Sequence, residues 1–181
     1  MERIRLIFES IQQVVGNENL SVIVLTDEPR QRAISVICDE QMTRQILFRL
    51  QSPDKAQTLL PESLLQMLTG QYEMMIYGVH DGQYQVVLSD SGFECSSRIR
   101  MSDAVLLTII SGYPLYIEEN LMRQQCYPFD QHAQGVSIPI NTIDMHRLNT
   151  ALQNAIEVEN YELASQLRDE INRRKKNSPQ H

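Results

Sequence analysis

Two arginines and an aspartate stand close together directly ahead of an aliphatic run at residues 104–110. Arg98 and Arg100 lie two residues apart, so on a strand their side chains would project from the same face. The start of a helix after them would favour anions as well. These groups predict that a phosphate could bind here. Asp103 opposes this, because a fixed carboxylate competes with a phosphate for the same free N–H groups.

With a divalent cation bound, the Asp103 carboxylate would no longer oppose a phosphate. Carboxylate oxygens are the ligands that Mg²⁺ and Mn²⁺ prefer, so Asp103 with Glu118 or Glu119 could hold such an ion while Arg100 meets the phosphate. Metal-assisted phosphodiester cleavage requires this combination. We therefore take Arg100, Asp103 and Glu119 as candidate catalytic residues, and Asp103 and Glu119 as candidate ligands of Mg²⁺ or Mn²⁺.

The same residues also have a purely structural interpretation. Ser102 can accept from the first free N–H groups of a helix over residues 103–111, and Asp103 complements the positive end of that helix. Gly112 would end the helix. Glu119 would then lie in a solvated loop or at the next helix start. Only the tertiary structure decides whether the candidate residues converge.

The elements that must position this cluster are short. Ile4, Leu6 and Phe8 alternate with charged residues and predict a strand, although the apolar residues at 11, 14 and 15 also allow a helix. The further predicted elements are neighbouring strands at 20–27 and 33–39, helices at 40–50 and 61–70, a β-hairpin around Asp81-Gly82, and a third strand within 93–101.

Local residues mark the ends of two of these elements. Pro61 suits the first turn of a helix, where no N–H donor is needed, and Gly70 can turn left-handed where that helix ends. Asp81 and Gly82 supply the positive φ angles that a tight hairpin requires.

Composition limits the classes of function. The chain has 181 residues, 42% of them hydrophobic, which is enough for one main domain. It carries 16 basic and 23 acidic residues, a net charge of -7, so any contact with nucleic acid must be local. Its three cysteines are widely spaced and form no CxxC pair, which predicts a reducing cytoplasmic location. No stretch approaches the roughly 20 apolar residues of a membrane span, so we expect no membrane contact.

Three stretches, AISVICDEQMTRQI, LPESLLQML and RIRMSDAVLLTIISGYPLYIEENL, together resemble the bifunctional nuclease family over nearly all of residues 1–123. That family carries Asp-Ala-Arg-x-Ser-Asp-Ala before a helix and Pro-Ile-Tyr after it. The matching positions here are Arg100, Ser102, Asp103, Ala104, Pro114, Tyr116 and Glu119. The resemblance implies an α+β fold, a mixed β-sheet packed by helices, and cleavage of DNA or RNA.

This chain departs from the family pattern at two places. Pro61, Glu62 and Ser63 stand where the family has Thr-His-Asp, and Arg98 stands where its signature begins with Asp. These differences remove metal ligands or acid-base groups. His80 does not replace them, because its place beside the predicted hairpin turn favours an exposed turn residue.

Residues 124–142 change the composition abruptly, with two prolines, a glycine and several glutamines. This pattern predicts a linker and a domain boundary. Cys126, Asp130 and His132 are metal-binding residue types, but no second ligand pair follows at a suitable spacing. A solvated linker is therefore favoured.

The remaining chain has a helical period. Leu148, Leu152 and Ala155 recur at three- and four-residue steps, and after EVENYE the same spacing resumes. Two antiparallel helices are predicted. Each presents only a narrow apolar stripe, so the pair would gain stability by packing on another hairpin or on the main domain.

The stretch NAIEVENYELASQLRDEI closely resembles the UVR motif of the excision-repair proteins UvrB and UvrC. Tyr161, Ala164, Leu167 and Arg168 stand in the frame of that motif. The resemblance implies association with a protein partner, and we expect Leu152, Tyr161, Ala164 and Leu167 to form one apolar seam. Arg168 completes the predicted partner-binding set. The basic run at residues 173–176 is expected to complement a helix C-terminus, in preference to a phosphate.

The predicted organisation is a nuclease-like domain at 1–123, a linker at 124–142, a UVR-type hairpin at 143–176 and a tail at 177–181. Two functions follow. The first is a metal-dependent nuclease with little sequence preference, a homo-oligomer with a nucleic-acid substrate. The second is a non-catalytic adaptor or regulatory protein that recruits a partner, or a second copy, through the hairpin.

Overall fold

The structure is a computed structural model that describes residues 2–14, 17–92, 95–131 and 138–177. Within these residues the chain is α+β, with an eight-stranded mixed sheet, seven α-helices and a C-terminal two-helix hairpin. The predicted fold class is therefore confirmed. His132 and residues 178–181 of the predicted tail lie outside the described residues.

The strands are β1 (Arg3–Val14), β2 (Asn17–Asp27), β3 (Arg32–Asp39), β4 (Tyr72–His80), β5 (Gln83–Asp90), β6 (Ser96–Ile99), β7 (Leu115–Glu118) and β8 (Tyr127–Pro128). The helices are α1 (Glu40–Gln51), α2 (Pro53–Ala56), α3 (Leu60–Met67), α4 (Met101–Ser111), α5 (Glu119–Gln125), α6 (Met145–Glu157) and α7 (Tyr161–Asn177). A 3-10 helix spans Ile140–Thr142.

The strand order is β6-β5-β4-β7-β1-β2-β3-β8. β4 and β7 run parallel, whereas β1 pairs antiparallel with both β2 and β7, so the sheet is mixed. Residues 11 and 14 belong to β1, and the alternative of a helix there is wrong. The alternation of apolar and charged residues predicted a strand only at residues 4–8. The strand continues beyond them because its backbone N–H and C=O groups pair with neighbouring strands.

Turn chemistry places the hairpin of β4 and β5 as predicted. Asp81 has φ 48° and Gly82 has φ 79°, the positive values that a tight turn needs.

The predicted role of Gly70 is wrong, because α3 ends earlier, at Met67. Leu68 follows in an extended conformation and donates its N–H to Leu65 O, so the helix ends without a left-handed residue.

Helices α1 and α4 supply the apolar layer against the sheet. Asp39 starts α1 by accepting from the Met42 N–H at 2.8 Å. Ile46 of α1, and Ala104 and Val105 of α4, are fully buried. Because α4 packs against β1, β3 and β7, the segment that carries Arg100 and Asp103 is fixed at the sheet.

The described chain forms two compact units, Met1–Gly78 with Tyr84–Ser137, and Val79–Gln83 with Ile138–His181. Residues of the predicted linker form regular secondary structure in each of the two units. β8 pairs with β3 through Tyr127 and Pro128, and the 3-10 helix belongs to the second unit. Among the described residues, no helix is both long enough and apolar enough to cross a membrane.

Candidate functional site

The cluster ahead of α4 is an exposed ion pair. Arg100 is the residue before the helix, and its Nε and Nη2 donate to the two Asp103 carboxylate oxygens at 2.7 and 3.0 Å. The Arg100 side chain is 73% exposed and that of Asp103 is 34% exposed. The hydrogen bond from Arg100 to Asp103 raises the pKa of the Arg100 guanidinium. Both oxygens of Asp103 are therefore engaged by a neighbour within one helical turn.

The predicted cap at Ser102 is wrong. α4 begins at Met101, so Ser102 lies inside the first turn, and no side chain caps this end. The buried Met101 side chain accounts for the earlier start, since it places one more apolar residue in the core. Gly112 ends the helix with φ 72°, as predicted.

Glu119 belongs to a different group of charges. It is the first residue of α5, so the prediction of a helix start is confirmed. Its Oε1 accepts from Arg123 Nε at 2.9 Å and from Arg32 Nη1 at 3.3 Å. The hydrogen bond from Arg123 contributes most to lowering the pKa of Glu119, and Arg32 adds to it against partial burial.

Behind this group lies a buried carboxylate that sequence reasoning missed. The Asp27 side chain is 1% exposed and accepts from the Gln31 and Arg32 N–H groups at 2.8 and 3.0 Å and from Arg32 Nε at 2.9 Å. Burial alone would raise the pKa of Asp27, but these hydrogen bonds outweigh it and lower the pKa. Arg32 thus bridges Asp27 and Glu119 and fixes the turn between β2 and β3.

The structure brings Arg100 and Asp103 together and places Glu119 in the group with Arg32 and Arg123. Among the described residues, no three or more His, Cys, Asp or Glu side chains form a group that could hold a metal ion. As arranged, both oxygens of Asp103 and the Oε1 of Glu119 accept hydrogen bonds from arginine side chains.

Glu62, at one of the departures from the nuclease pattern, has a structural partner. Arg49 of α1 is only 5% exposed, and its Nε and Nη2 donate to the Glu62 oxygens of α3 at 2.5 and 3.1 Å. Arg49 Nη1 also donates to the backbone and side-chain oxygens of Gln45. The pair joins two helices across 13 residues of sequence, which no local pattern could reveal.

His80 is the last residue of β4 and its side chain is 79% exposed, so its predicted exposure is confirmed. It lies 3.3 Å from Asp81, itself 72% exposed. Exposed neighbours of this kind interact weakly, and the geometry assigns His80 no part in either charge group.

In the second unit, α6 and α7 share one apolar seam. The buried members are Leu148, Ala155, Ala164, Leu167 and Ile171, with Leu152 among the partly buried residues packed against them. The predicted seam is correct for Leu152, Ala164 and Leu167. It is wrong for Tyr161, which is 67% exposed at the start of α7. Arg168 is also exposed.

The turn between the two helices places Tyr161 outside the seam. Glu159 adopts φ 56°, and the Asn160 side chain accepts from the Leu163 N–H at 3.2 Å, which caps α7. Four large apolar side chains around this turn are exposed, and we name them the turn-end surface: Ile156, Val158, Tyr161 and Leu163. Sequence reasoning missed three of them, because a helical period does not show which face lacks a cover.

At the other end of α7, part of the basic run is structural. Arg174 is 6% exposed, pairs with Glu170 at 2.7 Å, and donates to the Ile143 and Asn141 carbonyl oxygens at 2.6 and 3.0 Å. Arg173 also donates to Glu170. The hydrogen bond from Arg173 contributes most to lowering the pKa of Glu170, and Arg174 adds to it against burial. The four-residue spacing of Glu170 and Arg174 was the signal available in the sequence.

Comparison with curated proteins finds no match for this chain. Residues 145–176, which hold α6, the turn and most of α7, match the UvrB/uvrC motif, and the predicted UVR hairpin is confirmed. This match lies entirely beyond residues 1–123, so the resemblance of those residues to the bifunctional nuclease family remains a prediction.

Proposed function

We propose that the protein is an adaptor that recruits a protein partner through the turn-end surface of its UVR hairpin. The observation that carries this proposal is the exposure of the four apolar side chains within the matched motif, from 38% at Leu163 to 73% at Val158. Clustered exposed apolar side chains are characteristic of protein–protein contacts.

The hairpin does not need these side chains for its own packing. Its seam is filled by residues such as Leu148 and Leu167, which are 0% and 2% exposed. The turn-end surface is therefore available to a partner while the hairpin keeps its shape.

Charge indicates the kind of partner. Residues 156–163 contain three exposed glutamates, Glu157, Glu159 and Glu162, and no basic residue. A partner with an apolar patch bordered by Lys or Arg complements this surface. The same glutamates oppose a nucleic acid at this place.

The test is co-purification of the full chain with partners from its own cells, followed by reconstitution with the purified partner. Replacing Val158 and Tyr161 together by Ser removes apolar area without adding charge, and we expect the partner to be lost. Gln153→Ser changes an exposed residue of α6 outside the surface and should retain it. Partner binding should also weaken as salt is raised. A partner that is retained by the double variant would contradict the adaptor function.

A nuclease is the second candidate, because Arg98 and Arg100 are both exposed at the end of β6, where a phosphate could reach them. Its residues would be Arg100, Asp103 and Glu119. Asp103 would first have to leave Arg100, since both of its oxygens accept from that side chain.

Purified protein with Mg²⁺ or Mn²⁺ should then nick single-stranded nucleic acid and stop with a chelator. Asp103→Asn keeps the shape of the side chain and removes its charge, so it should abolish nicking. Absence of cleavage with either metal would reject this candidate and leave the adaptor function untouched.

A further inference from the structure

Helix α3 is amphipathic, but its apolar face is exposed to solvent. Leu60, Leu64 and Met67 recur at steps that share one helix face, and they are 71%, 52% and 78% exposed. Leu68, the extended residue directly after the helix, is 48% exposed. We name these four residues the α3 stripe. Helices of globular proteins ordinarily turn such a stripe towards the core, whereas α3 has no buried residue at all.

The opposite side of α3 carries Glu62 and Leu65, which are both half-buried. Glu62 lies two residues from Leu60, on the other side of the helix, and accepts from the buried Arg49 guanidinium of α1. This ion pair fixes the orientation of α3. The α3 stripe therefore faces solvent because of a specific contact behind it.

We propose that the α3 stripe is the interface between two copies of this chain, packed about a two-fold axis. A short helix gains little stability from its own hydrogen bonds, so its apolar face needs a cover that is always present. A second copy of the chain covers this face whenever the dimer forms. Two-fold pairing of identical surfaces is also the commonest form of self-association.

The charge around the α3 stripe permits a second copy to approach. The whole chain carries a net charge of -7, so two copies repel each other over most of their surface. Residues 48–68 contain two basic residues, Arg49 and Lys55, and two acidic residues, Asp54 and Glu62, and have no net charge. Two copies can therefore approach here without repulsion between segments of like net charge.

Apolar side chains of α1 add to this neutral region. Phe48 and Leu50 flank Arg49 and are 41% and 46% exposed. A membrane surface is disfavoured as the occupant, because helices that bind lipid present Lys and Arg beside their apolar face, and α3 has neither residue.

The interface is independent of the proposed adaptor function. The three glutamates among the turn-end surface would become six if two hairpins met there, so repulsion opposes self-association through the hairpin. The α3 stripe and the turn-end surface can therefore be tested by separate substitutions.

The experiment is sedimentation of the full chain over a range of micromolar concentrations. The wild type should be a dimer in equilibrium with monomer. Leu64→Glu combined with Met67→Glu should raise the dimer dissociation constant by about 100-fold or more, because each copy would bury two unpaired charges. Both side chains are exposed in the monomer, so circular dichroism and thermal unfolding should show that the variant folds.

Three controls make the result decisive. Gln66→Glu adds one negative charge to an exposed residue of α3 outside the stripe and should leave the dimer intact. The Val158→Ser and Tyr161→Ser double variant should also remain dimeric. Leu64→Ser with Met67→Ser should weaken the dimer without adding charge. A monomeric wild type, a dimer indifferent to both α3 variants, or a dimer lost with the hairpin variant would each overturn the proposal.

Discussion

The α3 stripe and the turn-end surface are both exposed and apolar, but they differ in what surrounds and supports them. The α3 stripe lies in a segment without net charge and is held from behind by the buried Arg49–Glu62 ion pair. The turn-end surface is interleaved with glutamates and rests on an apolar seam. Apolar exposure is common to both surfaces, so the neighbouring charge distinguishes them: a neutral segment at the α3 stripe and exposed glutamates at the turn-end surface.

The largest effect is expected when the ionic support of the α3 stripe is removed. Glu62→Ala leaves the Arg49 guanidinium buried without a carboxylate and should lower the free energy of unfolding by about 3–5 kcal/mol. Urea denaturation measures the change. Replacing the pair together, by Arg49→Met with Glu62→Leu, should stay close to wild-type stability, since no buried charge remains. A mild effect of Glu62→Ala would show that α3 is held by other contacts.

The apolar support of the turn-end surface can be removed in the same way. Leu167 is 2% exposed, and Leu167→Ala should lower the stability of the hairpin by about 3 kcal/mol through lost burial and a cavity. Amide hydrogen exchange over α6 and α7 would report this directly. Leu163→Ala is the matched control, because Leu163 is 38% exposed and its loss should weaken partner binding while exchange stays unchanged. Equal exchange in both variants would contradict the division between seam and surface.

A smaller and pH-dependent effect is expected at Glu170, which holds Arg173 and Arg174. Because folding lowers the pKa of Glu170 below its ordinary value of 4.5, the stabilisation is present above that value and is lost as the pH falls through the folded-state pKa. Glu170→Gln should therefore cost about 2 kcal/mol at neutral pH, and the difference from wild type should shrink in acid. Glu162→Gln, on an exposed glutamate of the same helix, is the matched control and should leave the free energy of unfolding at neutral pH nearly unchanged. A difference at Glu170 that is constant with pH would rule out the ionic explanation.

The smallest effect is expected at the exposed pair ahead of α4. Asp103→Asn should change the free energy of unfolding by less than about 1 kcal/mol, because solvent screens the Arg100–Asp103 contact. Thermal unfolding of the variant beside Arg100→Gln would measure both partners. A change as large as that of Glu62→Ala would mean that this pair supports the fold and is not a screened surface contact.

Much of the fold could be predicted because its signals are local. The Asp81-Gly82 turn and the end of α4 at Gly112 require positive φ angles that few residues adopt, and both were found where expected. The strand alternation at Ile4 and Leu6 and the UVR spacing are equally short-range. Each of these features depends on residues within a few positions of one another.

The candidate site was predicted less well, because its contacts are long-range. Arg32, which binds the nearby Asp27, reaches Glu119 across 87 residues of sequence, so no spacing rule could place Glu119 in that group instead of beside Asp103. The two residues of β8 form a strand only because β3 lies beside them, since so short a run carries no periodicity of its own.

Local signals were sufficient to predict most strands and helices, the Asp81-Gly82 turn and the UVR hairpin, since backbone sterics and side-chain period act within each segment. Which apolar faces are covered depends on tertiary packing. Tyr161 and Leu167 share one motif, yet one is exposed and the other buried, and the α3 stripe faces solvent although its spacing is that of a core helix. Burial depends on what packs against a face from elsewhere in the chain, and a helical period specifies only that such a face exists.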